Sequence, residues 1–176
     1  NKDHTVSVVD DYGRWLSLIC ECLDAGGKPC IPMMSCSKAK ALLQSLRTAY
    51  PDKQGKLYDS ECAHNDKLVA LQDVNKAWSC LDYVIYTPTI EAGVSFDVPD
   101  HFDALYAYAC AGSCSPRAFL QMLHRVRAPR RRTIHLHVDR SVRSTTAAPT
   151  STMEELRELV TLPSYHHVAV SGHRLD

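Results

Sequence analysis

The sequence has no excess of charge of either sign: 20 lysines and arginines balance 20 aspartates and glutamates. No field of the whole molecule therefore announces a polyanionic partner, and any such recognition falls to a local patch. The one strong basic cluster is RVRAPRRR at residues 125–132. Within it, residues 130–132 also fit a solvated helix end and turn, since surface arginines commonly lack a specific partner. No apolar stretch approaches the ~20 residues that span a bilayer, and the polar start Asn1-Lys2-Asp3-His4 is not a signal sequence. A soluble, intracellular chain is expected. Also missing is any phosphate loop of the Gly-x-x-x-x-Gly-Lys-Ser/Thr type. A chain with neither that loop nor a starting Met reads as a piece of something longer, whose first half lies elsewhere.

Cysteine is plentiful at eight residues, but no pair has the two-residue separation of a zinc knuckle. The cysteines sit mostly inside apolar periodic segments, which suits free intracellular thiols better than a disulfide framework. A zinc site from Cys20, Cys22, Cys30 and Cys36 is conceivable; burial as small hydrophobes is the reading preferred. His135 and His137 alternate on one face of an expected strand, and His166 and His167 are adjacent in the tail. None has an acidic or cysteine partner at ligand spacing, so no metal is expected.

At 176 residues the chain suits one domain with a short appendage. Residues 5–9 alternate like a short strand. Asp10 or Asp11 caps a helix to about residue 25, with Trp15, Leu16, Ile19, Cys22 and Leu23 on one face and Gly26-Gly27 closing it. A buried strand follows at 28–34. Ser35-Cys36-Ser37 forms a loop capping a helix over 38–50, with Ala41, Leu42 and Leu46 as its apolar stripe. After a turn at 51–55 comes a short strand at 56–58. Leu68, Leu71, Val74, Asn75 and Trp78 sit at helical spacing within 64–81, behind a cap at Asn65 or Asp66. Strands are expected at 83–86, 104–109 and 133–138, and a helix at 116–126. Strands alternating with helices argue for a mostly parallel sheet covered on both faces. Residues 143–152 read as a linker rich in Ser, Thr, Ala and Pro, and 153–160 as a short amphipathic helix. The division expected is thus a domain over 1–140 and a peripheral tail over 141–176, without internal repeats. Trp15 and Trp78 lie within apolar stripes and read as core anchors rather than base-stacking platforms.

Two segments carry the most information. In YVIYTPTIEAGVSFD, residues 83–97, an apolar β-branched run breaks into Thr87, Pro88, Thr89 and Gly93, as a strand does at a sheet's carboxyl edge. Open α/β sheets bind ligands at that edge. In QMLHRVR, residues 121–127, Gln121, Arg125 and Arg127 lie near the end of the expected helix, where two guanidiniums on a rigid element can face a phosphate group. These segments resemble motifs V and VI of superfamily 2 nucleic-acid helicases, which belong to the second of two RecA-like domains. More specifically, they are similar to the origin-binding helicases of herpesviruses and related large DNA viruses, which also carry a strand opening with Phe-Asp, as in HFDALYAY. The similarity extends over residues 10–139 and is specific over 83–127.

The resemblance implies an α/β/α three-layer RecA-like domain and ATP hydrolysis, within a larger protein, coupled to movement along or separation of nucleic-acid strands, as in DNA replication. ATP with Mg2+ would be bound mainly by the first RecA-like domain, and the present chain alone is not expected to turn it over. Single-stranded nucleic acid, with DNA the expected track, and that first domain are the implied partners; the implied location is nuclear or cytoplasmic, a viral replication site if the source is viral. Gln121 and Arg125 match the first Gln and first Arg of the pattern Gln-x-x-Gly-Arg-x-x-Arg. His124 replaces the Gly and Ala128 stands where the second Arg is expected, so Arg127 acts in its place or Arg130 reaches in from the next turn. Gly93 falls where the family turns beside the nucleotide, which a glycine permits. Ser95 takes the place of an acid that contacts the ribose, with Asp97 a nearby substitute. Glu91 either pairs with an arginine of 125–127 or is solvated. Ser37 and Lys38 resemble the Ser-Lys of motif IV, and Thr87 or Thr89 the motif V threonine, which hold backbone phosphates without reading sequence. Ser37 also suits a plain helix N-cap. Two rivals stand beside this reading: a degenerate RecA-like docking module without ATPase activity, and an unrelated α/β enzyme using Cys36 with His64.

Overall fold

The computed structural model describes residues 4–61, 72–89, 94–111 and 113–140. Among the described residues, six strands form one sheet: β1 (Thr5–Val8), β2 (Pro29–Pro32), β3 (Gly55–Tyr58), β4 (Tyr83–Tyr86), β5 (Ala104–Cys110) and β6 (Thr133–Asp139). Its order is β1-β6-β5-β2-β4-β3 and every pairing is parallel. The helices described over their whole length are α1 (Tyr12–Asp24), α2 (Cys36–Ala49), α3 (Val74–Ser79) and α4 (Pro116–Leu123).

The central strands β2, β4 and β5 are buried at every position, as a parallel sheet covered on both faces requires. The connections β1→β2 and β2→β3 run one way along the sheet and the later three run back. Right-handed crossovers then put α1 and α2 on one face and α3 and α4 on the other. The packing agrees. Trp15 of α1 lies against Tyr108 and His137, while Trp78 of α3 stacks on Tyr86, whose hydroxyl donates to the Met122 carbonyl of α4 at 2.9 Å. Both tryptophans are fully buried, as their apolar stripes imply.

Local chemistry accounts for the helix starts. Asp11 caps α1 by accepting from the Arg14 amide at 2.6 Å, and Gly26, at φ +75°, lets the chain leave its far end. Ser115 caps α4, with Pro116 at the first helical position where its missing N–H costs nothing. At α2 the structure corrects the expectation: the cap is Ser35, accepting from the Lys38 amide at 3.3 Å, so Cys36 and Ser37 lie inside the helix rather than in a loop. The helix expected over 64–81 is interrupted: Gln72 is helical, the chain turns at Asp73, and α3 begins anew with Asp73 as its cap; Asn65 and Asp66 lie outside the described residues. Residues 143–160 and the two tail histidines lie outside them as well.

The helix expected over 116–126 is the main departure. It stops at Leu123, and Val126 instead bridges to Phe96 in parallel, with the Phe96 amide donating to the Arg125 carbonyl at 2.7 Å and the Arg127 amide to the Phe96 carbonyl at 3.0 Å. Buried Phe96 packs on Trp78 and Phe102, and this pairing draws residues 125–127 out of helix into a bent segment bridged at Val126. Arg125 and Arg127 therefore sit on a bridge segment, not on a helix end.

Candidate functional site: a carboxyl-edge crevice and an arginine bridge

Adjacent strands β5, β2 and β4 are followed by connections to opposite faces of the sheet, so a crevice opens at the carboxyl end of β2. Its rim is set by backbone bonds between neighbouring strand ends, from the Met33 amide to the Tyr86 carbonyl at 2.9 Å and from the Met34 amide to the Tyr108 carbonyl at 2.9 Å. Four of the expected nucleic-acid residues stand here. Ser37 and Lys38 are exposed in the first turn of α2, with the Ser35 and Ser37 hydroxyls 3.1 Å apart and the Lys38 ammonium 5.2 Å from the Tyr12 ring centroid. Thr87 is buried at the end of β4, its hydroxyl 2.8 Å from that of exposed Thr89. Thr89 is thus the threonine open to a ligand, and Thr87 orients it. Ser113, after β5, closes the rim by donating to the Met34 carbonyl.

A second group forms beside α3 and α4. Arg127 is exposed, and its Nε donates to the Ser95 hydroxyl at 3.0 Å; that hydroxyl donates in turn to the Asp97 carboxylate at 2.9 Å. The Asp97 amide donates to the Asn75 side-chain oxygen of α3 at 2.8 Å. Arg125 behaves differently. It is 9% exposed, its Nη1 donates to the Val94 carbonyl at 3.3 Å, and burial presses its pKa down while the nearby Tyr86 opposes that shift. Arginine stays protonated under such pressure. Gln121 is exposed on α4, and Arg130 is drawn away to Asp103, 3.5 Å off. Of the two candidates to replace the second arginine, Arg127 therefore joins the group and Arg130 does not. Gly93 and Glu91 lie outside the described residues.

Asn75 is the residue that sequence reading missed in this group. It was visible as the one polar side chain in an otherwise apolar helical stripe.

The cysteine chemistry is of another kind. The Cys36 thiol donates to buried Asp59 at 3.4 Å, and desolvation, joined by that bond and by the carboxylate's charge, pushes its pKa up. A thiol held protonated is a poor nucleophile, and His64, its expected base, lies outside the described residues. Cys30 is fully buried in β2, donates to the Tyr86 hydroxyl at 3.8 Å, and is pushed up to about 12 by burial. It is a core residue rather than a ligand.

Comparison with known proteins places this geometry in a family. The family model for origin of replication binding proteins matches residues 64–154, just over half of the chain. A candidate helicase/primase complex protein of African swine fever virus is 34% identical over 113 residues, covering 64% of this chain and 10% of that protein. A candidate replication origin-binding protein of Acanthamoeba polyphaga mimivirus is 31% identical over 123 residues, covering 68% and 15%. The chain thus spans only a small part of the length of these relatives. Among solved structures, the C-terminal domain of S. cerevisiae Dbp5, bound to Gle1 and IP6, superposes with a TM-score of 0.62 at 10% identity, over 97% of this chain and 89% of that one. At that identity the likeness concerns fold alone, and the fold is that of the C-terminal RecA-like domain of superfamily 2 helicases. With the family match over residues 64–154, the chain belongs to the origin of replication binding protein family.

Proposed function

We propose that this chain is the second motor domain of an ATP-dependent helicase of the replication origin-binding type. The observation that carries the reading is the pair of groups just described, on a fold shared with helicase C-terminal domains: an arginine fixed at the surface by Ser95 and Asp97, and a carboxyl-edge crevice of hydroxyls with Lys38.

ATP with Mg2+ is the substrate, and a phosphate loop supplied by a first RecA-like domain would hold most of it. The groups in this chain fit the remaining task. In phosphoryl transfer the transition state spreads negative charge over the transferring group, and a guanidinium aimed at it raises the rate by on the order of a thousandfold or more. Arg127 is exposed and oriented by a bond from its Nε, and among the described residues its terminal nitrogens form no ion pair, so they can serve such an anion. Arg125, buried against the Val94 carbonyl, secures the 94–97 turn in this arrangement and reaches a nucleotide only on leaving that carbonyl. At the crevice, Ser37, Lys38 and Thr89 with its partner Thr87 would hold backbone phosphates of a single strand. Such contacts position a strand without reading its bases, as translocation requires.

The test is nucleic-acid-stimulated ATP turnover by the full-length protein that carries this domain, in wild type, Arg127→Ala and Arg125→Ala. Arg127→Ala should abolish stimulated turnover, by roughly a thousandfold, while nucleotide binding and melting temperature hold. Arg125→Ala should lose turnover together with melting temperature. Normal turnover in both variants would overturn the motor reading. That outcome would support the docking-module alternative, which the serine at position 95 and the alanine at 128 favour.

A further inference from the structure

The bonds around Ser95 assign it a task other than holding a sugar. Its hydroxyl is already engaged twice, accepting from Arg127 Nε at 3.0 Å and donating to Asp97 at 2.9 Å. A hydroxyl has one hydrogen, and here that hydrogen is directed at the carboxylate. Asp97 is anchored in turn, because its amide donates to the Asn75 side chain at 2.8 Å and Asn75 sits on α3, the helix whose Trp78 is fully buried. The chain of contacts therefore runs from the core, through α3, to a carboxylate, to a hydroxyl, to a surface guanidinium.

We infer that Ser95, Asp97 and Asn75 form a positioning relay that fixes the plane of the Arg127 guanidinium, so that Ser95 acts through the arginine rather than on the nucleotide. The inference rests on the motor reading for its catalytic consequence. Its physical logic is separation. Arg127 and Asp97 form no direct ion pair among the described residues. A carboxylate bonded directly to the guanidinium would occupy the donors meant for a phosphoryl group and cancel much of its charge. With a neutral hydroxyl interposed, the carboxylate orients the arginine through Nε alone, much as outer groups orient metal ligands without touching the metal. An acid at position 95 would pair with Arg127 directly; serine there makes the relay workable. The bridge between Phe96 and Val126 supplies the remaining constraint, since it holds the backbones of the two segments in register and keeps Ser95 opposite Arg127.

Two measurements test this, one of them independent of turnover. In the 15N-labelled 176-residue chain, the Arg127 Nε–H should give a resolved NMR signal protected from exchange with water. It should fall into fast exchange in Ser95→Ala and remain protected in Ser95→Thr, which keeps the hydroxyl. An unchanged signal in Ser95→Ala overturns the relay. In the full-length protein, Ser95→Ala should lower kcat for ATP by about tenfold to a hundredfold, the range that misplacement of a catalytic group produces, with KM for ATP unchanged and with recovery in Ser95→Thr. The double variant Ser95→Ala, Arg127→Ala should be no slower than Arg127→Ala alone, because the first change has nothing left to disturb. A rise in KM with kcat intact would mean that Ser95 touches the nucleotide and overturns the inference, as would a full Ser95→Ala effect in the Arg127→Ala background. Absence of turnover in the wild type would instead remove the motor reading, leaving the NMR result to decide whether the relay exists.

Discussion

At the scale of single residues, the site depends on which polar groups are open and which are spoken for. Arg125 and Arg127 are two positions apart and chemically identical, yet one is buried against a carbonyl and the other exposed on a hydroxyl. Resemblance put Arg125 ahead, as the direct match to the pattern, with Arg127 only a stand-in for the second arginine; their difference in burial was not legible, because it follows from the pairing with Phe96, some 30 positions away in the chain. Glycine gives a sharper case. A Cβ on Gly55 would lie 1.9 Å from the buried Tyr83 ring of the neighbouring strand. Gly55→Ala should therefore destabilise by about 1–3 kcal/mol, the usual cost of overpacking, read as a lower urea midpoint at constant slope. No change in midpoint would mean that Tyr83 has room to swing away. Nothing in the sequence around Gly55 distinguishes it from an ordinary turn residue, since the clash is with a partner strand.

At the scale of elements, the legible parts were those whose signals are local. Strands β2, β4 and β5 are short apolar runs, and α1 carries a capping aspartate ahead of a clean apolar face, so their existence followed from periodicity. The end of α4 did not, and the reason is specific: Met122, Leu123 and Val126 continue a helical apolar pattern, so the pattern alone favours helix through 126. The structure withdraws Val126 because Phe96 offers it a strand partner and a buried place. Tertiary pairing overrode local preference, at the segment where the candidate arginines lie. The α2 start makes a testable claim of its own. Removing the cap with Ser35→Ala should cost about 1 kcal/mol of stability and weaken single-stranded DNA binding, because the first turn that presents Ser37 and Lys38 frays. Threonine at the same position should restore both. Weaker binding with unchanged stability would instead make Ser35 a direct phosphate contact.

At the scale of the whole molecule, a doubly covered parallel sheet brings together residues far apart in sequence, including half-buried histidines that respond to acid. His101, His124 and His135 all have lowered pKa values, each chiefly because burial penalises the imidazolium; the nearby cations Lys28, Arg127 and Arg131, respectively, add to the effect. The unfolded chain takes up these protons near the free imidazole value of about 6.5, whereas the folded chain resists until lower pH. Stability from these groups is therefore complete above that value and declines as pH falls below it, levelling once the folded histidines also protonate. Urea midpoints of the chain measured from pH 8 to pH 5 should drop on the acid side. A flat profile would show that the three imidazoles are better solvated than their packing implies.

The edge pairing of β1 with β6 has a mechanical meaning. The two strands are parallel neighbours, four residues of β1 against β6, one near the start of the described chain and the other at its end. Tension between residues 5 and 139 pulls them in opposite directions along their shared axis. Every hydrogen bond of that ladder is then strained together instead of opening one by one, and a four-residue pairing at the sheet's margin becomes the clamp that tension between those two residues must break first. Rupture under such load is set by the unfolding barrier rather than by equilibrium stability, so a domain of modest thermal stability can still grip while it is being pulled.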